Sequence, residues 1–437
     1  MLNAKKNLFD VRVGLALLAI AAGFAASYLP SKSGSSAVVS TSYPAQVCPS
    51  ISTAGATTAY LPTTQIRIRS IDGKSTSFAA NSRSIIPSRG NPILVDSNSG
   101  NSLSFSTLTG SGIAAVPCTS GSPDEWFIGG SGGLTSKGTL DLVNSGLSES
   151  DIDIYSFTSK AALPVLSVKV KANSAATVSL DALAPGDDSM ALHVITRTGR
   201  VSTFVLDQRA KGLHALGLDY VKPMEAPAKE LYIPALYPHN GDKSSVTNSL
   251  RLLVPGALDA TVRVEAISAD GKFIPVGFDG LVVKHGQVIT LPLQNLTTNA
   301  PFGLHIQSDQ PILAGALTAF GSGDFAWAAP VGALSNTLMN FGGTIPVIVA
   351  IGGSIHFTVS GKFSNGKSFN QTIGGSDIAI WAPKTAINSL RFTIPAGEST
   401  YVGALVNSGG ITYIPINAGV SVENTALPFN DVHTLTH

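Results

Sequence analysis

The chain has 437 residues, a length that suggests about three domains. Lys and Arg number 28 against 27 Asp and Glu, and charged residues make up only 13% of the chain, so the sequence offers no basic stripe for a nucleic-acid partner. Hydrophobic residues make up 44%, enough for real cores, and the many glycine, hydroxyl and β-branched residues favour a folded, β-rich protein over a disordered one.

The N-terminal segment, residues 1–30, contains an uncharged apolar run from Val13 to Leu29 that is preceded by Lys and Arg. As a helix rising about 1.5 Å per residue, the run spans roughly 25 Å, just short of a hydrocarbon core of about 30 Å. Two alternatives fit it: a signal peptide cleaved near Ala25 to Ser27, or a retained single-pass anchor that ends at Pro30. Both predict an extracytoplasmic location for the bulk of the chain, secreted in the first case and held at the membrane, with a cytoplasmic N-terminus, in the second.

Residues 31–45 are Ser-rich and lack periodicity, which predicts a flexible linker. The segment 46–125 follows, with Cys48 and Cys118 near its two ends. An even cysteine count in an exported chain predicts a disulfide, with two buried free thiols as the alternative. The bridge would close a loop of roughly 70 residues, worth about 4 kcal/mol in the chain-entropy model. We interpret 46–125 as a disulfide-stapled β segment, a truncated version of the repeat described next.

Beyond the linker, short runs of strict apolar and polar alternation predict β-strands separated by turn residues. The fold class we expect is all-β, with tandem immunoglobulin-like β-sandwich domains after one N-terminal transmembrane or signal helix. The clearest alternating runs are 65–69, 139–143, 150–155, 166–170 and 261–265.

An internal repeat supports this prediction and divides the chain into sandwiches at 126–228, 229–325 and 326–437, the last with a C-terminal tail. Each copy closes with two strands around a polar turn, and the three in tandem are expected to form a stiff rod. Each copy opens with an aromatic strand: Trp126 to Ile128, Leu231 to Pro234, and Trp327 to Pro330.

Two motifs invite a chemical interpretation. Gly129 to Gly133 matches the Gly-x-Ser-x-Gly nucleophile pattern, but that pattern needs a helix directly after it, and we interpret this one as a loop. His193 and His305 occupy matching positions in the repeat where the third copy has Arg391, which favours a solvent-facing position. The eight histidines and two cysteines show no metal-ligand spacing.

The remaining candidates are also better explained by structure than by chemistry. Asp151 and Asp153 predict one solvated strand face, with a calcium site or a glycosidase pair as the alternative. The three tryptophans are too scattered for a sugar platform and are predicted to pack in cores. Two glycosylation acceptor patterns begin at Asn295 and Asn370.

The order of these features resembles a known family. After the membrane segment come Cys48-Pro49, then Cys118 before Trp126 to Gly130, then Leu140 to Gly146 and Val178 to Gly186. This pattern is similar to the actinobacterial family of large secreted proteins called domain of unknown function 5719, with the best match between Cys118 and about Pro223. The resemblance implies an extracytoplasmic β protein and transfers no catalytic or binding residue.

The function we expect is a non-enzymatic cell-envelope protein, a structural scaffold or an adhesion or interaction module. The alternative is a carbohydrate- or peptidoglycan-binding module, and a hydrolase hidden in 46–125 or at a domain junction is a third hypothesis. The expected partners are the membrane, through the N-terminal helix, and an envelope protein or glycan. We predict no cofactor, metal site, catalytic residue or nucleic-acid partner.

Overall fold

The structure is a computed structural model. It describes residues 13, 14, 18, 39–42, 44–51, 55–61, 66–74, 76–79, 84–85, 87, 90–96, 102–108, 112–239, 245–293, 298–321, 323–417 and 422–425. The chain forms two compact units, one made of Met1–Ser42 with Ser421–His437 and the other of Tyr43–Val420.

The first unit contains strand β1 (Val39–Ser42), which pairs antiparallel with the last strand of the chain, Val422–Thr425. Because β1 lies in the segment predicted to be a linker, the expectation of no regular structure is wrong for these residues. The predicted N-terminal helix lies almost entirely outside the described residues. Among the residues that are described, no helix has the length and apolar character needed to span a membrane.

The second unit is built from four copies of one eight-stranded pattern, which we name repeats I to IV. We label the strand positions of each repeat a to h in chain order. Position a pairs with f, f with c, and c with d, while e pairs with b, b with g, and g with h. Each repeat therefore has a d-c-f-a sheet and an e-b-g-h sheet, in which every neighbouring pair is antiparallel, and the two sheets share a hydrophobic core.

Repeat I has one short strand at every position, in the order β2 (Gln46–Cys48), β3 (Gly55–Tyr60), β4 (Ile66–Ser70), β5 (Thr76–Ala79), β6 (Ser84–Ile85), β7 (Ile93–Val95), β8 (Leu103–Leu108) and β9 (Ile113–Pro117). The interpretation of this segment as truncated is therefore wrong. Cys48 on β2 and Cys118 just after β9 form a disulfide, which ties the first position of the repeat to the end of the last.

Repeat II follows the same order with longer strands. They are β10 (Asp124–Ile128), β11 (Thr139–Asn144), β12 (Ser150–Thr158), β13 (Leu166–Val170), β14 (Ser174–Ser179), β15 (Met190–Thr196), β16 (Val201–Lys211) and β17 (His214–Val221). A single helical turn, α1 (Leu180–Leu183), follows β14, and β18 (Pro223–Met224) adds to β10 at the sheet edge.

Repeats III and IV keep the pairing but fuse neighbouring positions into long strands. Repeat III consists of β19 (Ala228–Leu236), β20 (Val246–Leu253), β21 (Ala260–Ser268), β22 (Gly271–Phe273) and β23 (Leu281–Val283) at position d, β24 (Val288–Pro292), β25 (Phe302–Phe320) at f and g, and β26 (Phe325–Ala328). Repeat IV consists of β27 (Thr337–Thr344), β28 (Pro346–Phe363) at b and c, β29 (Ser368–Trp381) at d and e, β30 (Ile387–Thr393), β31 (Tyr401–Asn407) and β32 (Ile411–Pro415).

The pairing corrects one prediction about the repeat. Trp327 lies in β26, which pairs with β25 and so closes repeat III instead of opening the next copy. The sequence of β26 shows no alternation of apolar and polar residues, because all four of its residues are buried. A continuous buried run does not show on which side of a boundary a strand belongs.

The four h strands meet at the centre of this unit, where β9, β17, β26 and β32 pack against one another in a closed circuit. The main-chain N–H of Ala115 on β9 donates to Thr412 Oγ1 on β32 (3.1 Å), which joins repeat I to repeat IV. Asn340 Nδ2 on β27 also reaches back to the carbonyl of Leu61 (2.6 Å). The prediction of an extended rod is therefore wrong, because the first and last repeats are in contact.

Each repeat also presents a face of its d-c-f-a sheet to the e-b-g-h sheet of the next repeat. Strand β10 shows how this works, since Phe127 points into the core of repeat II while Trp126 and Ile128 point into a core shared with repeat III. Alternation along the strand thus serves two cores instead of one core and solvent. This arrangement creates the junctions at which the candidate site lies.

Candidate functional site

A histidine stacked on an aromatic ring and bonded to a carboxylate occurs at the junction between repeats II and III. Trp126 on β10 and His193 on β15 are directly opposite in the ladder, and their rings lie parallel with centroids 3.6 Å apart. His193 Nε2 donates to Asp124 Oδ1 at 2.8 Å. Asp124 is two residues before Trp126 and shares its side of the strand, so a period of two brings all three groups together.

The same constellation recurs one junction further on, between repeats III and IV. Tyr232 on β19 stacks on His305 of β25 at 4.4 Å, and His305 Nε2 donates to Glu230 Oε1 at 2.8 Å. Here a third ring completes the stack, because Tyr401 of repeat IV lies parallel to Tyr232 at 3.7 Å. The second junction is thus closed by an aromatic side chain of the following repeat.

The groups of the second stack shift one another's pKa values. The Tyr232 hydroxyl donates to Glu230 at 2.7 Å, and this bond and the one from His305 hold the pKa of the carboxyl below its usual value. Burial, together with the neighbouring carboxylate of Glu230, raises the pKa of Tyr232 above its ordinary range. Burial likewise raises the pKa of Tyr401, so both phenols stay neutral at physiological pH.

At the first junction the residue that corresponds to Tyr401 is Leu313, which is fully buried, and a cavity of about 630 Å³ lies beside the stack. Repeat II supplies its aromatic side, and repeat III supplies the b–c turn, residues 254–258, and the f–g bend at Gln310 and Pro311. The lining residues are Trp126, Phe157, His193, Pro227, Val254, Pro255, Gly256, Ala257, Leu258, Gln310 and Pro311. The cavity is mostly apolar, and its polar groups include the His193 imidazole, the Gln310 amide and the indole N–H of Trp126.

The two histidines correct a prediction from the sequence. Their side chains are only 15% and 16% exposed, so His193 and His305 do not face solvent as expected. Arg391, at the matching position of repeat IV, is exposed. One sequence pattern could have predicted the two stacks. An acidic residue lies two positions before an aromatic one at Asp124 to Trp126 and at Glu230 to Tyr232, and these are the two copies whose f strand carries a histidine.

The structure places the glycine-rich motif in a tightly packed loop. Ser131 is buried, and its hydroxyl donates to Asp188 Oδ1 at 2.8 Å. A Cβ at Gly132 would lie 1.9 Å from the carbonyl oxygen of Ala184, and one at Gly133 would lie 2.0 Å from the Asp188 carboxylate. Glycine is therefore needed here because the neighbouring chain segments approach too closely for a side chain. The Ser131 hydroxyl donates its proton to a structural carboxylate, whereas a nucleophilic serine needs a general base as its partner.

The other candidates lie apart from the cavity. Asp151 pairs with Lys169 at 3.3 Å and Asp153 with Arg197, in an exposed ion-pair network on repeat II. No group of three His, Cys, Asp or Glu side chains within the described part of the chain is arranged to hold a metal ion. Asn370 is exposed on β29, whereas Asn295 lies outside the described residues.

A buried polar cluster at the centre of the h strands was not predicted from the sequence. The main-chain N–H and the indole of Trp327 donate to Asp219 (2.8 Å) and Asp207 (2.9 Å), and Lys222 Nζ donates to Asp219 at 2.6 Å. Thr412 of repeat IV also donates to Asp219, at 2.8 Å. Burial raises the pKa of Asp219 to about 6 and lowers that of Lys222. These groups bond to one another across three repeats.

Asp324 occupies the point where all four h strands converge. Its Oδ2 accepts the main-chain N–H of Ile411 at 2.6 Å, and burial raises the pKa of the carboxyl to about 6. A Cβ at Gly112, Gly217 or Gly410 would lie between 2.6 and 2.9 Å from one of its oxygens. The convergence point therefore holds one side chain, and glycines on the other three h strands make room for it.

The fold and this junction define an all-β protein of four two-sheet repeats with an aromatic-lined cavity between two of them. A family model described as Family of unknown function (DUF5719) matches residues 96–372, which is more than half of the chain. The chain belongs to this family. A comparison with curated proteins gave no match.

Proposed function

We propose that this protein is a non-enzymatic interaction module of the cell envelope, a scaffold or adhesion protein held outside the cytoplasmic membrane. The observation that carries the proposal is the cavity between repeats II and III, which offers Trp126, Phe157 and His193 to a ligand. Apolar cavities with a few polar groups are the usual form of a binding site. An aromatic, well-packed surface also supplies most of the energy in protein interfaces.

Two features support the location outside the membrane. The Cys48–Cys118 disulfide suits an oxidising compartment, and it closes a long loop in the least extensive repeat. The apolar run at Val13 to Leu29 suits either a signal peptide or an anchor, in keeping with the resemblance to secreted proteins.

The strand pairing supports an immunoglobulin-like relationship for the repeats. Immunoglobulin-like sandwiches also pair the second strand with the fifth and the third with the sixth. In repeat II these are the pairs β11 with β14 and β12 with β15. The edges are arranged differently here, since β10 lies beside β15 and β16 lies beside β11. We therefore propose a variant of that architecture with its outer strands exchanged between the sheets.

The absence of catalysis is proposed because the described residues that line the cavity supply one imidazole and no carboxylate, thiol or hydroxyl. That imidazole, His193, is stacked on Trp126 and bonded through Nε2 to Asp124. Nucleophilic and acid–base catalysis usually combine such a group with a second one within hydrogen-bond reach.

The test is proximity labelling in intact cells with a labelling enzyme fused to the C-terminus, compared between the wild type and Gly256→Phe. Gly256 lines the cavity and a Cβ there would meet no atom within 4 Å, so a phenylalanine ring fits at the cavity wall without a clash. We expect the wild type to label extracytoplasmic proteins and the variant to lose a subset of them. Labelling of cytoplasmic proteins alone would refute the proposed location, and identical label sets would refute the role of the cavity.

A second candidate function, carbohydrate or peptidoglycan binding, is favoured by a separate aromatic row on repeat IV. Phe363 and Phe369 stack at 4.4 Å, and Trp381 lies 5.8 Å from Phe369 with its indole N–H donating to Gln371 at 2.9 Å. All three rings are partly exposed and pack against the edge of the repeat IV core, so Trp381 contacts the core as the sequence predicted and also presents part of its ring at the surface. Aromatic faces with an amide beside them suit sugar rings.

This candidate is tested by retention of the protein on purified peptidoglycan. Trp381→Ala should reduce retention several-fold, whereas Ile380→Ala, on the neighbouring strand position and also exposed, should not. Equal retention of both variants and the wild type would rule out this row as the binding surface.

A further inference from the structure

We propose that Lys222 and Asp219 join covalently, forming an intramolecular amide between the lysine ε-nitrogen and the side-chain carbonyl carbon of the aspartate. The pair lies in the polar cluster at the centre of the h strands, at hydrogen-bond distance and out of contact with water. This step completes the chain itself, so it goes beyond the proposed function and does not depend on it.

The two side chains can meet because the strand ends between them. Along a regular strand, residues three positions apart point to opposite faces. Here β17 ends at Val221, and Lys222 lies in the break before β18, where the chain passes from one sheet of repeat II to the other. At this break Lys222 turns back onto Asp219, and its Nζ lies 2.6 Å from Oδ2.

The pair is shielded from water and from competing partners. The Lys222 side chain is 1% exposed, and that of Asp219 is fully buried. Within the described part of the chain, Lys222 Nζ donates to Asp219 alone, whereas an ammonium has three N–H groups to satisfy. The neighbouring carboxylate of Asp207 is bonded to Arg209 at 2.7 Å and does not compete for the lysine. Unpaired N–H groups in a water-free interior favour the neutral amine over the ammonium.

Burial shifts both groups toward the forms that react. It raises the pKa of Asp219 to about 6 and lowers the pKa of Lys222, so a carboxylic acid beside a neutral amine becomes accessible. The neutral amine has the lone pair that attacks a carbonyl carbon, and the protonated carboxyl has a hydroxyl that can leave as water.

The carboxyl of Asp219 also has a donor on each oxygen. The main-chain N–H of Trp327 donates to Oδ2 and the hydroxyl of Thr412 donates to Oδ1, both at 2.8 Å. Donors fixed in this way stabilise the negative charge that develops on these oxygens as the nitrogen attacks. The groups that a condensation needs are therefore already in place around the pair.

The reaction balances without a co-reactant. Nζ attacks Cγ of Asp219, a C–N bond forms, and the bond from Cγ to Oδ1 breaks. The carboxyl proton and one amine proton leave with Oδ1 as water, and nothing is oxidised or reduced. Oδ2 remains as the amide oxygen and still accepts the N–H of Trp327. The product has one N–H group and no charge, so it removes the buried ion pair, and exclusion of water protects it from hydrolysis.

The test is the mass of the purified full-length chain and of its tryptic peptides. Lys222 precedes Pro223, a bond that trypsin leaves intact, so one peptide from Gly212 to Lys229 contains both residues of the pair. We expect this peptide to be lighter by the mass of one water molecule. We also expect no backbone fragments from cleavage between Asp219 and Lys222, because the amide holds the two halves together.

An exposed ion pair in the same chain is the matched control for proximity. Lys272 Nζ and Asp377 Oδ1 also lie 2.6 Å apart, but both side chains are 39% exposed, so we expect no cross-linked peptide from them. Lys222→Met removes the amine and should restore the full mass of the variant peptide. An imide formed by Asp219 with its own backbone would still lose water in that variant.

Thr412→Val keeps the shape of the side chain but loses the donor on Oδ1, so linking should be at least about tenfold slower in samples taken at intervals after synthesis. A wild-type peptide of full mass would overturn the proposal, and so would a water loss that persists in Lys222→Met or a cross-link between Lys272 and Asp377. In linked chains Asp219 has no carboxyl left to titrate, so acid stabilisation then comes from Asp324 instead. None of these results depends on where the protein is located or what it binds, so failure of the cross-link and failure of the proposed function are distinguishable.

Discussion

Arg251 offers the sharpest test of how the repeats are held together. It lies on β20 of repeat III and is buried, and its guanidinium donates to three main-chain carbonyls of repeat II. Nη1 reaches Gly130 at 2.7 Å and Met190 at 3.0 Å, and Nη2 reaches Asp188 at 2.8 Å. Nε donates to Thr290 within its own repeat at 3.1 Å. We predict that Arg251→Met destabilises the protein and weakens the coupling between repeats II and III.

The magnitude follows from opposing contributions. Four hydrogen bonds to a charged donor contribute about 2 kcal/mol each, and the cation–π contact with Trp327 at 4.8 Å contributes about 2 kcal/mol when desolvated. Against this, burial lowers the pKa of Arg251 to about 9, which corresponds to a cost of roughly 5 kcal/mol for the charged form. The difference is about 5 kcal/mol, and because such contributions overlap we expect a loss of about 3 kcal/mol.

The measurement is urea denaturation followed by tryptophan fluorescence and circular dichroism, with Arg263→Met as the control. Arg263 is exposed on β21 of the same repeat, so its replacement tests the loss of a charge without the loss of buried bonds. We expect a lower midpoint for Arg251→Met and transitions by the two probes that no longer coincide, because the repeats unfold separately. Equal midpoints for the two variants would refute the assignment of Arg251 as the link between the repeats.

Three further predictions concern pH, the disulfide and a glycine. Burial raises the pKa of Asp219 and Asp324 to about 6, so as the pH falls these carboxyls gain protons in the folded state before they do in the unfolded state. The denaturation midpoint should therefore be higher at pH 5 than at pH 7, and the increase should be smaller in Asp324→Asn. An equal increase in wild type and Asp324→Asn would contradict the role of Asp324. Reduction of the Cys48–Cys118 bridge, which spans 70 residues, should cost about 4 kcal/mol in denaturation with and without dithiothreitol, and an unchanged midpoint would show that the bridge adds nothing. Gly132→Ala should lower the melting temperature by several degrees because its Cβ would meet a carbonyl oxygen, whereas Gly332→Ala, where a Cβ meets nothing, should not.

The strands with one solvent-facing side were predictable from alternation alone. The runs predicted at 139–143, 150–155 and 261–265 are found in β11, β12 and β21, which extend them by between one and four residues. In β12 and β21 the polar side chains sit on the face away from the core, so a period of two survives in the sequence. In β11 the second face carries Val143 into a core shared with repeat I, and alternation persists there through Thr139 and Asp141. The all-β class followed from these runs, and the family match agrees with the resemblance seen between Cys118 and about Pro223.

The h strands could not be predicted in the same way, because they have no solvent-facing side. The first four residues of β9 and all residues of β26 and β32 are buried, so these strands read as short apolar runs with no period. Nothing in such a run indicates which strand it pairs with or that it contacts the h strands of two other repeats. The sequence repeat indicates which strands pair within one copy. It does not indicate that the first and last copies contact each other, and for that reason it predicted a rod.

Closure also explains why the stacked histidines were misjudged. In a rod, the outer face of a d-c-f-a sheet faces solvent, and a position that accepts His193, His305 or Arg391 would be a surface position. In the closed arrangement the same face meets the next repeat, so the side chains nearest the a strand lie at a junction. The residue that the following repeat places at such a junction differs from copy to copy, since Leu313 of repeat III corresponds to Tyr401 of repeat IV. A repeat protein built this way varies the contents of its junctions through single strand residues, with no change in its strand pairing.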